Sequence, residues 1–310
     1  MKKILLISAI ALMAVAFVSC KKDGVYNPKH KIAKVSEEWT RTSATTDASG
    51  TVTHTVTRNP YVAEEWTWSD KTLASITYKN FEGKVYEIVK YTYDDKNRII
   101  GSTNADGDEK AEYVYNDDKK LQSIKITNGT HNEVVMEIAY DGKVPTTITT
   151  TVNYTLKNLS KFAKSVIPSY IYNAIEADEV SAKAATVTHK YTSAIEWDGK
   201  NIIEVVTTGD DNYKHIVKYE YDGKLNPNTG MYANMDNDIY NEYGAIYSKN
   251  NVIKRTETYS NGTTTEEKYE YQYDGKMPIK VIYTDVDEYE ILGTKYNDTT
   301  VYTTTYEYTK

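Results

Sequence analysis

Over most of its length the chain alternates apolar and polar residues one by one. Lys268-Tyr269-Glu270-Tyr271-Gln272-Tyr273 puts three tyrosines on one face of an extended segment and polar groups on the other. Lys218-Tyr219-Glu220-Tyr221 and Ile195-Glu196-Trp197 do the same. A period of two predicts half-buried β-strands. The alternation is punctuated by an aromatic residue followed by turn formers: Trp68-Ser-Asp-Lys, Tyr93-Asp-Asp-Lys, Tyr115-Asn-Asp-Asp and Tyr140-Asp-Gly-Lys, then Trp197-Asp-Gly-Lys, Tyr221-Asp-Gly-Lys, Tyr247-Ser-Lys-Asn and Tyr273-Asp-Gly-Lys. The spacings are 25, 22 and 25 in the first set and 24, 26 and 26 in the second. A second set of turns falls between them, at Asn80 to Gly83, Asp106-Gly107, Asn128-Gly129, Gly209-Asp210 and Asn261-Gly262. Each repeat is therefore two antiparallel strands. The expected fold is all-β: an antiparallel up-and-down meander of about 16–18 strands, forming a closed or flattened barrel or a curled sheet. Asp-Gly at the turns suggests primed two-residue loops with both central residues at positive φ.

Two segments break the pattern. Between Tyr140 and Trp197 the gap is 57 residues. In residues 155–185, Leu156, Leu159, Ala163 and Val166 recur at helical spacing, with Lys157, Lys161 and Lys164 on the other side. Pro168 interrupts, and Ser169 is placed to cap a second helix with Ile171, Ala174 and Ile175 inward. This predicts a short helical insertion acting as a cap or plug, a lid, or a docking element. Residues Leu225 to Asn241 are rich in Asn, Asp and Met and predict a long loop.

The first nineteen residues are a sorting signal. Lys2 and Lys3 precede a fifteen-residue apolar run from Ile4 to Val18, too short for a comfortable membrane span. The run ends in Phe17-Val18-Ser19-Cys20, which resembles a bacterial lipobox, and Cys20 is the single cysteine of the chain. The resemblance implies cleavage before Cys20, lipidation there and anchoring in the outer membrane, on its periplasmic or surface face; several acyl chains anchor stably where one does not. The expected organisation is residues 1–19 as lipoprotein signal peptide, 20–30 as tether and 31–310 as one β-repeat domain.

Composition narrows the function. The chain has 310 residues and a formal charge of −7, which becomes −9 once Lys2 and Lys3 are removed. An acidic chain offers no field for nucleic acid, so no nucleic-acid partner is expected. There are 30 Tyr against 3 Phe. Tyr and Phe bury similar ring area, so this excess indicates a need for hydroxyls, and a buried hydroxyl requires a partner. Hydroxyl tips in water predict a wide, half-wet sheet rather than a thick dry core. A membrane-spanning barrel would need lipid faces rich in Leu, Val and Phe, whereas here the face opposite the tyrosines carries Lys and Glu.

The Tyr-Asp-Gly-Lys turns, spread over about residues 68 to 285, resemble the YD repeats of the Rhs family. With the lipobox, they resemble lipoproteins of the Bacteroidetes described as having a porin-like fold. Neither resemblance supplies catalytic residues. The residues themselves show no Gly-rich phosphate loop, His-Glu-x-x-His or Gly-x-Ser-x-Gly, and His30, His54, His131, His189 and His215 share no metal-ligand spacing. No cofactor is expected. Asp106, Asp108, Asp236 and Asp238 are weak calcium candidates in segments that also need Asp for turns. Glu64-Glu65 beside Trp66, and Glu196 beside Trp197, are the carboxylates a glycosidase reading would use. The leading expectation is a non-catalytic envelope lipoprotein, not an enzyme. It would bind a glycan or other extended ligand on a Tyr/Trp-rich face, with Trp39, Trp66, Trp68 and Trp197 as contacts. The alternative is a structural, envelope-assembly scaffold with a protein partner.

Overall fold

A computed structural model describes residues 25–129, 131–155, 161–164, 166–178, 186–231 and 243–309. The signal segment, Cys20, Asp236, Asp238 and parts of both insertions lie outside the described residues. The strands are β1 (Ile32–Asp47), β2 (Gly50–Ser69), β3 (Thr72–Lys79), β4 (Val85–Tyr93), β5 (Ile99–Thr103), β6 (Glu109–Tyr115), β7 (Leu121–Asn128) and β8 (His131–Asp141). They continue as β9 (Val144–Thr155), β10 (Thr186–Trp197), β11 (Ile202–Gly209), β12 (Lys214–Leu225), β13 (Asn250–Thr258), β14 (Thr264–Asp274), β15 (Met277–Ile291) and β16 (Thr294–Tyr308). Each pairs antiparallel with the next, and β1 pairs with β16, so the meander closes into a sixteen-stranded barrel. Among the described residues three α-helices interrupt it: α1 (Lys161–Lys164), α2 (Ser169–Asp178) and α3 (Tyr243–Tyr247).

The repeated Asp-Gly turns lie at one end of the barrel, here the turn end. They differ from the expected geometry. Asp141 pairs with Val144 and Asp274 with Met277, so the loop residues are Gly-Lys rather than Asp-Gly. Gly142 and Gly275 take the positive φ, at 54° and 59°. At the longer turns the Asp binds backbone: Asp198 Oδ1 accepts the N–H groups of Lys200 and Asn201, both at 2.8 Å.

The tyrosine excess has a specific cause at this end. At the foot of β2, β4, β6, β10, β12, β14 and β16 an aromatic donor reaches a carbonyl at the start of the ascending partner. Trp68 Nε1 donates to Ile32 O at 2.7 Å, and the Tyr93 hydroxyl to Leu73 O at 2.8 Å. Tyr115 donates to Ile99 O at 2.7 Å, Trp197 to Pro145 O at 2.7 Å and Tyr221 to Ile202 O at 2.6 Å. Tyr271 donates to Val252 O at 2.9 Å and Tyr308 to Pro278 O at 2.7 Å. Each bond closes the open foot of a hairpin whose turn is at the far end. A basic residue just before the ascending strand then covers the ring: Lys31 over Trp68, Arg98 over Tyr115 and Lys120 over Tyr140.

The burial of other rings overturns the half-wet expectation. The Tyr113 hydroxyl lies 3.4 Å from that of Ser102 and Tyr269 donates to Glu267, whereas the Tyr91 hydroxyl is buried without a hydrogen-bond partner among the described residues. Tyr78, Tyr91, Tyr113, Tyr191, Tyr219, Tyr269 and Tyr306 are all at 7% exposure or less. They pack with Leu73, Ile76, Ile124, Ile126, Met136 and Val217 in one continuous cluster inside the barrel. A sixteen-stranded barrel is too wide for wall side chains alone to fill, and the two insertions make up the difference. The insertion between β9 and β10 enters from the far end and buries Phe162, Ala163, Val166, Ile167, Tyr170 and Ile171. The one between β12 and β13 enters from the turn end and buries Tyr243, Ala245 and Ile246 in α3, so Tyr247 ends a helix where the repeat pattern predicts the end of a strand. The two meet edge to face at Tyr170 and Tyr243, with centroids 6.5 Å apart. Gly244 permits the close fit of α3: a Cβ there would lie 2.7 Å from the Tyr219 ring.

The outward faces carry charge. Lys254 bridges Glu220 at 3.2 Å and Glu266 at 2.8 Å, Lys268 extends the ladder to Glu266, and Lys218 pairs with Glu204. On β11 to β14 the outer wall therefore presents a ladder of ion pairs. If the hydroxyl-to-carbonyl bonds hold the feet together, Tyr93→Phe and Tyr115→Phe each lower stability by about 1 to 2 kcal/mol in urea unfolding. Tyr86→Phe, at a ring 46% exposed, changes it little. Equal effects at all three positions would remove this explanation for the tyrosines.

Candidate functional site

Four strands outgrow the rest. β3 pairs with β2 only from Glu64 onward, and β14 pairs with β15 only as far as Tyr283. Beyond those points β2, β1, β16 and β15 continue as a four-stranded tongue past the far end of the barrel. At its base the barrel interior is not filled, and a cavity of about 420 Å³ opens.

Strand register builds this cavity. Trp39 on β1 sits opposite Tyr302 on β16 and Arg58 on β2, while Glu37 sits opposite Tyr61. Tyr302 stacks on Tyr283 at 5.6 Å and 14°, and Tyr283 leans on Tyr269 at 5.4 Å. Two carboxylates face this aromatic wall. Glu37 accepts the Tyr61 hydroxyl at 2.8 Å. Glu64, 5% exposed, accepts Trp66 Nε1 at 2.7 Å. Burial, and then the Glu37 charge, push the Tyr61 phenol well above its ordinary pKa, so it stays a donor. The Arg58 guanidinium lies 3.7 Å from the Phe81 ring centroid and 5.2 Å from that of Trp39, clamped at the rim. Aromatic faces and anchored acceptors of this kind suit a ligand with apolar faces and hydroxyl or amine edges.

Behind Tyr283 lies a buried polar network. Arg255 bridges Glu267 at 2.8 Å and Glu257 at 3.2 Å. Tyr269 and Tyr283 donate to Glu267, and Tyr259 donates to Glu257 at 2.5 Å. The fully buried His215 ring sits between Tyr170 and Tyr259, with Nε2 3.5 Å from Glu257. Burial raises the Glu257 pKa, but His215, Arg255 and Tyr259 together outweigh it and hold the carboxyl at about 2. This network fixes Tyr283 and therefore one wall of the cavity.

The four tryptophans expected as ligand contacts are not brought together. Trp39 lines the cavity. Trp66 is buried behind it, and Trp68 stacks between Trp66 and Tyr26 nearer the turn end. Trp197 is half-buried in its bond to Pro145 O. Sequence reading missed Glu37, Tyr61, Tyr283 and Tyr302. Period two does put Glu37 beside Trp39 on one face, but only the β1–β2 and β1–β16 registers add Tyr61 and Tyr302. Among the described residues no three His, Cys, Asp or Glu side chains converge as a metal site. Asp108 accepts Asn104 Nδ2 at 2.6 Å within its turn. A larger cavity of about 950 Å³ lies at the turn end, where Asn27, Pro28 and His30 enter the fold against Met277 and Tyr308.

No protein-family model matches the chain, and no curated protein matches it. Among solved structures, a porin-like protein from Bacteroides vulgatus ATCC 8482 is similar over 90% of this chain and 99% of its own, at 11% identity and a TM-score of 0.42. A porin-like protein from Bacteroides uniformis ATCC 8492 is similar over 87% and 97%, at 11% identity and a TM-score of 0.32.

The depressed Glu257 pKa has a testable consequence. A carboxyl held below its unfolded value near 4.5 stabilises the fold above that pH, and the contribution is lost as pH falls toward about 2. Urea midpoints should drop across this window in the native chain and drop less in Glu257→Gln. Arg255→Met, which leaves two carboxylates without their cation, should cost about 3 to 5 kcal/mol at neutral pH.

Proposed function

We propose that the protein is a non-catalytic, lipid-anchored protein of the cell envelope. It captures an extended ligand, a glycan, in the aromatic cavity at the base of the tongue. The observation that carries this reading is the open cavity where Trp39, Tyr61, Tyr283 and Tyr302 face Glu37 and Glu64. Ring faces stack on the apolar faces of sugars, and fixed carboxylates accept their hydroxyls. Trp39 is the principal contact. Trp66, Trp68 and Trp197 act through packing. The inner face of the tongue continues the cavity upward, giving room for a chain rather than a single sugar. The scaffold reading is favoured by the same tongue, which offers a long exposed sheet to a partner.

Anchoring gives this arrangement a direction. The first described residues, from Val25 on, join the barrel at the turn end, near Trp68 and Pro227. A lipid on Cys20 holds that end at the membrane and points the cavity and tongue away from it. Cys20→Ser should move the protein from the membrane fraction to the soluble one; retention in the membrane would rule out an anchor at Cys20.

Capture is tested by thermal unfolding of residues 21–310, which contain the whole barrel, against host and plant glycans. A ligand at a hundred times its dissociation constant adds about 2.7 kcal/mol of stability. A selective shift is expected, lost in Trp39→Ala and kept in Trp197→Ala, which lowers the baseline midpoint only. A flat panel would favour the scaffold reading.

A further inference from the structure

The tongue breaks the rule that a closed barrel has no edges. Gly50 to Ala63 of β2 have only β1 beside them, and Thr284 to Ile291 of β15 have only β16. An unpaired strand edge is a template for another strand unless charge or proline blocks it. The two edges differ sharply in this respect. β15 carries Asp285, Asp287, Glu288 and Glu290 along its free stretch. β2 reads Gly-Thr-Val-Thr-His-Thr-Val-Thr from Gly50 to Thr57, with no acidic residue, lysine, arginine or proline, until Arg58 and Pro60 end the run. One edge is guarded and the other is open.

We infer that the β2 edge is a homodimer interface, in which β2 pairs antiparallel with β2 of a second copy about a two-fold axis at His54. The sequence of the edge selects this occupant. Same-face pairing requires that paired residue numbers have equal parity. With His54 on the axis, Val52 of each copy meets Val56 of the other, Thr53 meets Thr55 and Thr51 meets Thr57. Val52 and Val56 are 57% and 58% exposed, and this register alone covers each with the other. The threonine face already makes such pairs within the chain: Thr42 with Thr55 at 3.3 Å and Thr46 with Thr51 at 2.9 Å. A second copy repeats the chemistry that β1 supplies on the opposite side. The contact is isologous, so it closes at two copies. It joins the two tongues into one continuous sheet whose outer edges are the acidic β15 strands, and these repel further addition. A strand from an unrelated partner would carry none of this self-matching.

The interface is separate from the aromatic cavity and stands whether or not a glycan binds. The test is the solution mass of residues 21–310 by light scattering across a dilution series. A dimer that dissociates on dilution is expected. Val56→Lys, at an exposed position that leaves the barrel intact, should halve the mass with an unchanged circular dichroism spectrum and melting point. Removing Cys20 leaves the chain without cysteine, so a single new thiol reports geometry. His54→Cys should form a disulfide-linked dimer on mild oxidation, because antiparallel partners on the axis are about 4.5 to 5.5 Å apart at Cα, within the span of a disulfide. Thr55→Cys, off the axis, should not. A monomer at every concentration, a dimer indifferent to Val56→Lys, or equal crosslinking at positions 54 and 55 would each overturn the inference.

Discussion

The bond from an aromatic donor to a strand's opening carbonyl is the interaction on which the rest of the architecture depends. A meander of hairpins is closed by turns at one end of each pair and open at the other. The open ends hold carbonyls beyond the last ladder bond, in a place where water is scarce. A tyrosine hydroxyl or tryptophan N–H meets that carbonyl, and its ring fills the space below the turn. The basic residue over the ring seals the same spot from outside. Phenylalanine would supply the ring and leave the carbonyl orphaned, which accounts for tyrosine at positions 93, 115, 221, 271 and 308.

Fixing the feet in the same way makes the wall regular, and a regular wall of sixteen strands is wider than its own side chains can fill. The two insertions respond to that geometry. One arrives from each end, and they meet at Tyr170 and Tyr243. They fill the side of the barrel bounded by β9 to β13. The side bounded by β1, β2, β15 and β16 is left to the tyrosine stack, braced from β12 to β14 by the Arg255 network, and there the aromatic cavity remains. The candidate site is thus where plugging stops, and it borrows its rigidity from buried charge pairs rather than from a hydrophobic floor.

Much of the fold was legible in the sequence because it depends on local signals. Period-two alternation and turn residues at near-constant spacing point to the strands and their order, and α2 begins at Ser169, just after Pro168. The turn geometry was misassigned by one position, since Asp is as good at binding backbone N–H groups as at occupying a loop centre. The filled interior was not legible, because a hydroxyl's partner in a neighbouring strand cannot be seen without register. The site suffered most from this. Trp39 stood out by residue type, but Glu37, Tyr61, Tyr283 and Tyr302 become neighbours only through pairings between strands far apart in the chain. Trp66, Trp68 and Trp197 stood out equally, and they are committed to packing.

The seam between β1 and β16 has a consequence for how the molecule is made. It joins Ile32 to Tyr308 and runs on to Thr46 and Lys295, among the longest ladders in the barrel. The first strand therefore waits for the last. Until β16 is synthesised and delivered, the hairpins can zip one to the next, but the sheet stays an open ribbon with a bare flank at each side. Contacts this distant in sequence form slowly. A chain of this kind depends during its biogenesis on being kept apart from its own copies, and loss of even the final strand would leave a long ribbon prone to aggregation rather than a smaller barrel.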